Sequence, residues 1–242
     1  MRITFRGTRG NIKVRSKAHY RHTVTEFAFR NTKILIDCGL DWLSHAKKLR
    51  ADALFVSHAH PDHVGGLKRG VPFPVYATQE SWDILANYKI DERILIKPQQ
   101  PISIGSLIVE AFYVEHSFNA PAIGYRISAG KTIVFYVPDV AKIVHPQKAL
   151  SGVDLYIGDG AIITRTLLLR ESDGIMHGHA PILEQLAWCK KYKVPRAIFT
   201  HCGTEITLQD FGNMQEIIQK LGDEYGVETQ LAYDGLIIPR LS

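Results

Sequence analysis

The chain is 242 residues long, enough to bury a sizeable core in one α/β domain. Hydrophobic residues make up 45% and charged residues 22%, which excludes disordered and fibrous classes. The formal charge of +5 favours anionic ligands without choosing among them, and three scattered cysteines exclude a disulfide framework.

In chain order, short apolar runs bounded by polar or glycine punctuation predict strands at residues 3–5, 25–29 and 33–36. Basic residues crowd this opening: Arg2, Arg6, Arg9, Lys13, Arg15, Lys17 and Arg21. The β pattern continues at 53–56, 75–76, 94–96, 107–114, 123–127 and 132–137, with residues 128–131 as a hairpin turn. Helical periodicity predicts helices at 79–88, 181–192 and 208–221. Pro181 suits the first helical position, with Leu183, Leu186 and Ala187 on one face. Strands return at 197–200 and 236–238, interleaved with the helices. No repeat, low-complexity tract or linker interrupts the chain. The expectation is a single domain over residues 1–242, an α/β sandwich of two mixed β-sheets with helices on the outer faces, four layers in the order αββα. The first residues lack an apolar signal core and no apolar run reaches membrane-spanning length, so a soluble, cytoplasmic protein without membrane contact is expected.

His58-Ala-His60-Pro-Asp62-His63 follows the apolar run 53–56 and places four candidate metal ligands in six residues. Alternate residues of an extended segment share a face, so His58 and His60 can address one ion. Pro61 can start a helical turn that aims Asp62 and His63 at a neighbouring ion. Imidazole with carboxylate suits zinc, iron or manganese. A lone histidine reads most simply as a satisfied core or surface residue. So many polar groups together at a strand end cost too much desolvation to be incidental.

The segment resembles the H-x-H-x-D-H signature of the metallo-β-lactamase superfamily. The other motifs follow in that superfamily's order: Asp37 after Ile34-Leu-Ile, His116 after 107–114, Asp139 after Val134-Phe-Tyr-Val-Pro138, and His201 after Ala197-Ile-Phe-Thr200. The resemblance spans nearly the whole chain. It implies that His58, His60 and His116 hold one metal, that Asp62, His63 and His201 hold the other, and that Asp139 bridges them. The cofactors implied are two divalent ions, zinc or manganese, with iron as a further option. Two such ions activate a water between them and stabilise charge on attacking and leaving oxygens. The resemblance makes Asp37 a brace that orients ligands by hydrogen bonds; from the residues alone, a turn former before Gly39 is an equal reading.

Asp139 as bridge and the lack of a cysteine ligand resemble the phosphodiesterase and nuclease branches more than the β-lactamases, and Cys202 is not an expected ligand. Oxygen-reducing diiron relatives carry glutamate where His60 stands. His177-Gly-His179-Ala-Pro181 resembles the histidine segment of phosphonate-pathway cyclic phosphodiesterases and, more loosely, that of transfer-RNA 3′-processing endonucleases. That resemblance makes His179 catalytic together with Asp62, as proton donor or phosphate holder, with His177 assisting from further out. From the residues alone, a polar entrance to a helix competes. Arg6-Gly-Thr-Arg9-Gly10-Asn11 resembles the first loop of small phosphodiesterases, but its basic continuation through Lys17 departs from them.

The leading expectation is hydrolysis of a small anionic phosphodiester, cyclic or nucleotide-like, since the length leaves no room for the cap domain of larger RNA-processing relatives. The alternatives are an ester or lactone hydrolase on the same metals, and a nuclease or RNA-binding protein acting on short nucleic acid. Small relatives also make a homodimer an assembly to test.

Overall fold

In the computed structural model, which describes residues 1–165, 167–170, 176–239 and 241, side chains alternate between core and surface from the first strand onward. In β1 (Arg2–Gly7), Ile3 and Phe5 are fully buried while Arg2 is exposed, the period of a strand with one face on a core. The first half continues with β2 (Val24–Phe29), β3 (Thr32–Ile36), β4 (Ala53–Phe55), α1 (Pro61–Val64), β5 (Val75–Ala77), α2 (Gln79–Ile84) and β6 (Arg93–Leu95). Next come β7 (Ile102–Ile104), β8 (Leu107–Glu115), β9 (Ala122–Ala129), β10 (Thr132–Tyr136), β11 (Lys142–Ile143), α3 (Pro146–Leu150) and β12 (Leu155–Asp159). The remaining elements are β13 (Leu167–Arg170), β14 (Met176–His179), α4 (Ile182–Tyr192), β15 (Arg196–Thr200), α5 (Thr204–Thr207), α6 (Phe211–Tyr225), β16 (Glu228–Leu231) and β17 (Ile237–Ile238).

The described strands form two large mixed sheets and a separate two-stranded one, β13-β14. One large sheet runs β17-β1-β2-β3-β4-β5-β6, antiparallel up to β3 and parallel beyond it. The other runs β11-β8-β9-β10-β12-β15-β16, antiparallel up to β10 and parallel beyond it, with β7 paired to β8. Phe5, Phe27 and Phe55 of the first sheet and Tyr125, Val134 and Ile157 of the second share one apolar cluster, so the sheets pack face to face. Trp42, Leu67 and Trp82 cover the outer face of the first sheet, and α3, α4 and α6 cover that of the second through Leu150, Leu186 and Ile218. The two mixed sheets with flanking helices match the architecture expected from sequence. Among the described residues no helix is long and apolar enough to cross a membrane.

Several local expectations are corrected. The helix predicted at 79–88 ends at Ile84, because the Arg93 guanidinium takes the carbonyls of Ala86 and Tyr88 at 3.2 and 2.7 Å. Pro181 is extended, with ψ of 153°, and α4 begins one residue later. The buried face of α4 is Ile182, Gln185, Leu186 and Cys189, whereas Ala187 is exposed. The helix predicted over 208–221 is shifted along the chain, with Leu208 to Asp210 left outside it. Asp210 accepts a hydrogen bond from the Asn213 amide at 3.0 Å, so α6 starts at Phe211 and runs on to a left-handed Gly226. His177-Gly-His179 does precede a helix, α4, and is itself strand β14, paired with β13.

Candidate metal centre

Parallel neighbours in a sheet end at one level, and residues just past their carboxyl ends converge. Asp37 follows β3, and His58 and His60 follow β4. In the other sheet Asp139 follows β10, Asp159 closes β12 and His201 follows β15. His116 comes from the end of β8, and Asp62 and His63 from α1, which starts at Pro61 as its phi restraint favours. Asp37 and His201 both hold left-handed backbone, at φ 63° and 55°, a conformation that costs these residues free energy and bends the chain sharply at the site.

The structure brings all seven expected ligand residues together. His58, His60, His116 and Asp139 form one donor cluster and Asp62, His63 and His201 a second. Asp139 lies between them. Its Oδ2 is 3.4 Å from His58 Nε2, 3.4 Å from His63 Nε2 and 3.2 Å from His116 Nε2, and its Oδ1 is 2.7 Å from His201 Nδ1. His201 Nε2 meets Asp62 Oδ2 at 2.9 Å. A third cluster, Asp139, Asp159, His179 and His201, overlaps the other two.

Outer contacts aim these rings. His116 Nδ1 donates to the Gly178 carbonyl at 2.9 Å, which leaves Nε2 bare toward Asp139. His63 Nδ1 donates to Asp37 Oδ2 at 2.8 Å, and the same carboxylate accepts from the Ser57 amide and hydroxyl at 2.8 and 2.7 Å. His177 Nδ1 accepts from the Phe118 amide at 3.1 Å, which ties β14 to the turn after His116. Gly10 packs against the site: a Cβ there would lie 3.0 Å from the His201 ring.

Burial pushes His58, His60 and His116 down to about 4, so these rings are neutral, the form that binds a metal. Burial acts in the same direction on His63 and His201 but is outweighed there. Asp62, Asp139 and Asp37 raise His63 well above its ordinary value, and Asp139, Asp159 and Asp62 do so for His201. Burial would raise Asp139, but His201, His63 and His116 hold it well below the usual carboxylate range.

The residues present fit divalent ions. Asp62 Oδ1, His63 Nε2, His116 Nε2, Asp139 Oδ1 and His201 Nδ1 are buried without a hydrogen-bond partner; the short Asp139–His201 approach is not aligned as a hydrogen bond. Orphaned atoms of this kind are expensive in an apolar interior, and a cation that takes the place of any ring proton satisfies the carboxylate oxygens and the imidazole nitrogens together. Metal uptake must then expel the protons of His63 and His201. Apparent zinc affinity is expected to fall as pH is lowered, with protons released on binding. Calorimetric titration in buffers of different ionisation enthalpy measures this, and a buffer-independent heat would contradict it.

Three contributors escaped the sequence reading. Asp159 Oδ2 accepts from His179 Nδ1 at 2.7 Å and from the Val140 amide at 3.1 Å. Gln185 of α4 pins the Asp159 backbone, accepting from its amide at 2.9 Å and donating to its carbonyl at 2.8 Å. Ser57 links Asp37 to the ring of His58, at 3.1 Å. A signal for Asp159 existed: Leu155-Tyr-Ile-Gly-Asp159 is an apolar run closed by aspartate, like Ile34-Leu-Ile-Asp37. A cavity of about 430 Å³ opens over the donor clusters, and His60, Asp62, His179, Asn11, Arg165 and Glu205 are among its lining residues.

The sequence model described as "Beta-lactamase superfamily domain" matches residues 32–202. No curated protein matches the chain by sequence. Solved structures with the same fold include the metallo-beta-lactamase fold protein YhfI from Bacillus subtilis, at 17% identity and a TM-score of 0.75 over 98% of this chain and 97% of that one. A diphosphatase of the PhnP family aligns at 18% identity and a TM-score of 0.68 over 98% and 97% of the two chains. The short form of human tRNase Z aligns at 15% identity and a TM-score of 0.64 over 100% of both.

Proposed function

The chain belongs to the beta-lactamase superfamily, and on that premise we propose that it is a metal-dependent phosphodiesterase whose substrate is a small, nucleotide-like phosphodiester. The observation that carries this reading is His179 on the cavity wall, its Nδ1 2.7 Å from the Asp159 carboxylate and its ring set beside the donor clusters. Burial opposes protonation there, but Asp159 and Asp139 outweigh it and raise His179 above its ordinary value. A protonated imidazole there suits an anion that must shed an oxygen leaving group. The names of the PhnP-family diphosphatase and of tRNase Z point to the same chemical neighbourhood.

His58, His60 and His116 would hold one ion, Asp62, His63 and His201 the other, with Asp139 shared between them. Zinc or manganese suits this donor set, with iron as a third candidate. Bound, the pair supplies an activated water and offsets negative charge on the phosphoryl oxygens. The protein supplies the rest. Hydrolysis adds water across a P–O bond, so the attacking water loses a proton and the leaving oxygen gains one. Asp62 lines the cavity, and its unpartnered Oδ1 would accept the proton that the attacking water loses. His179 Nε2 donates to the leaving oxygen while Asp159 holds the ring through Nδ1. Asp37 keeps His63 in the tautomer that presents Nε2.

Metal-loaded protein is expected to release p-nitrophenolate from bis(p-nitrophenyl) phosphate and to leave a homoserine lactone intact. Lactone turnover without phosphodiester turnover would replace this reading with the ester-hydrolase one. Salt-sensitive RNA binding without any cleavage would replace it with a binding protein.

A further inference from the structure

A second cavity, of about 610 Å³, lies outside the metal centre between the loop carrying Ser16 to His19 and the start of α6. Phe211 and Tyr233 line it with ring centroids 5.5 Å apart and planes at 79°, so together they offer one ring face beside one ring edge. Tyr233 is 38% exposed, which leaves part of its ring free for a ligand. His19 also lines the cavity, is 1% exposed, and its Nε2 has no hydrogen-bond partner.

The tautomer of His19 follows from its neighbours. The amides of Thr8, Tyr20 and Arg21 and the hydroxyl of Thr8 all converge on the Asp234 carboxylate, at 3.0, 3.2, 2.9 and 2.8 Å. The Thr8 hydroxyl proton is therefore directed at Asp234, and its oxygen is left to accept. His19 Nδ1, 2.9 Å from that oxygen, must be the donor. Nε2 is then a bare acceptor. Burial pushes His19 down to about 4, which keeps the ring neutral and Nε2 accepting at physiological pH.

We infer that this cavity is a nucleobase subsite: a planar heteroaromatic ring packs on Tyr233 and Phe211 and donates one N–H to His19 Nε2. Aliphatic ligands would leave the ring faces without stacking, and acceptor-only ligands would leave Nε2 unsatisfied. Lys17 on the same wall suits an attached phosphate. A third cavity, of about 480 Å³, shares Glu205 with the metal-centre cavity and Gln209 with this one, so the three follow one another across α5. A nucleotide could thus reach from the base subsite toward the donor clusters. That last step rests on the phosphodiesterase reading; the base subsite does not.

The test is calorimetric titration of the metal-loaded protein with adenosine, which has no phosphate to hydrolyse. Adenosine is expected to bind with a dissociation constant of about 1 mM or tighter, the scale of aromatic stacking with one hydrogen bond. Its dimethylamino analogue, which lacks the exocyclic N–H, is expected to bind about tenfold more weakly, as is adenosine to Tyr233→Ala or His19→Phe. Thermal melting of each variant checks that it is folded, and should His19→Phe fail to fold, Tyr233→Ala and the analogue still decide. Comparison of adenosine monophosphate with a short oligoadenylate separates a free nucleotide from a strand as the source of the base. No saturable adenosine binding, or binding indifferent to both Tyr233→Ala and the analogue, would overturn the subsite. Loss of all hydrolytic activity would leave it standing.

Discussion

Asp139→Asn will bind little metal and lose about 10³-fold or more of the hydrolytic rate, the scale expected when one member of a cooperating set is removed. The substitution keeps the shape of the side chain and removes its charge. Four imidazoles, those of His58, His63, His116 and His201, approach this one carboxylate within 3.4 Å. No other described carboxylate belongs to the cluster of His58, His60 and His116. An amide in its place offers one neutral oxygen where two charged ones stood. Metal content by plasma mass spectrometry and p-nitrophenolate release are read on the same preparation. Two equivalents of metal with an undiminished rate would remove Asp139 from the centre of the site.

His179→Ala will keep its metal yet slow hydrolysis of a phosphodiester with an alkoxide leaving group by about 10²–10⁴-fold, the range for a lost general acid. The loss should be small with p-nitrophenolate, which leaves without help, and large with an alkoxide leaving group, which needs the proton. A uniform loss across leaving groups would assign His179 to phosphate binding instead. Asp159→Asn separates the two partners of the pair. It preserves the hydrogen-bond span of 2.7 Å but withdraws the charge that raises His179, so His179 deprotonates at lower pH. The alkaline fall of the pH–rate profile should move to lower pH, with about a 10–100-fold drop in rate, the usual effect of losing such an outer partner. An unmoved profile would mean that Asp159 only holds the strand end in place.

The linear chain displayed most of the donor set. His58, His60, Asp62 and His63 are neighbours in sequence, and Asp37, His116, Asp139 and His201 each close an apolar run. What the chain could not display is contact between elements. Asp159 belongs to the site because β12 lies between β10 and β15, which places its carboxyl end among Asp139, His179 and His201. Gln185 looks like an ordinary polar position of an amphipathic helix. It is fully buried because α4 lies against β12, where its amide satisfies the Asp159 backbone.

The helix boundaries failed for a related reason. The Arg93 guanidinium that ends α2 comes from a later strand, and propensity along a window carries no term for a donor supplied from elsewhere. By itself the sequence determined the two-sheet sandwich, through runs of period two between turn residues, and the chemistry of the donors, through residue type and spacing. Tertiary structure alone decided which carboxylate charges His179 and which ring nitrogens stay bare, His19 Nε2 beside Phe211 included. Tautomers and charges are set by partners a few ångströms away in space, and the deciding ones are distant along the chain, Asp159 by 20 positions from His179 and Asp62 by 139 from His201.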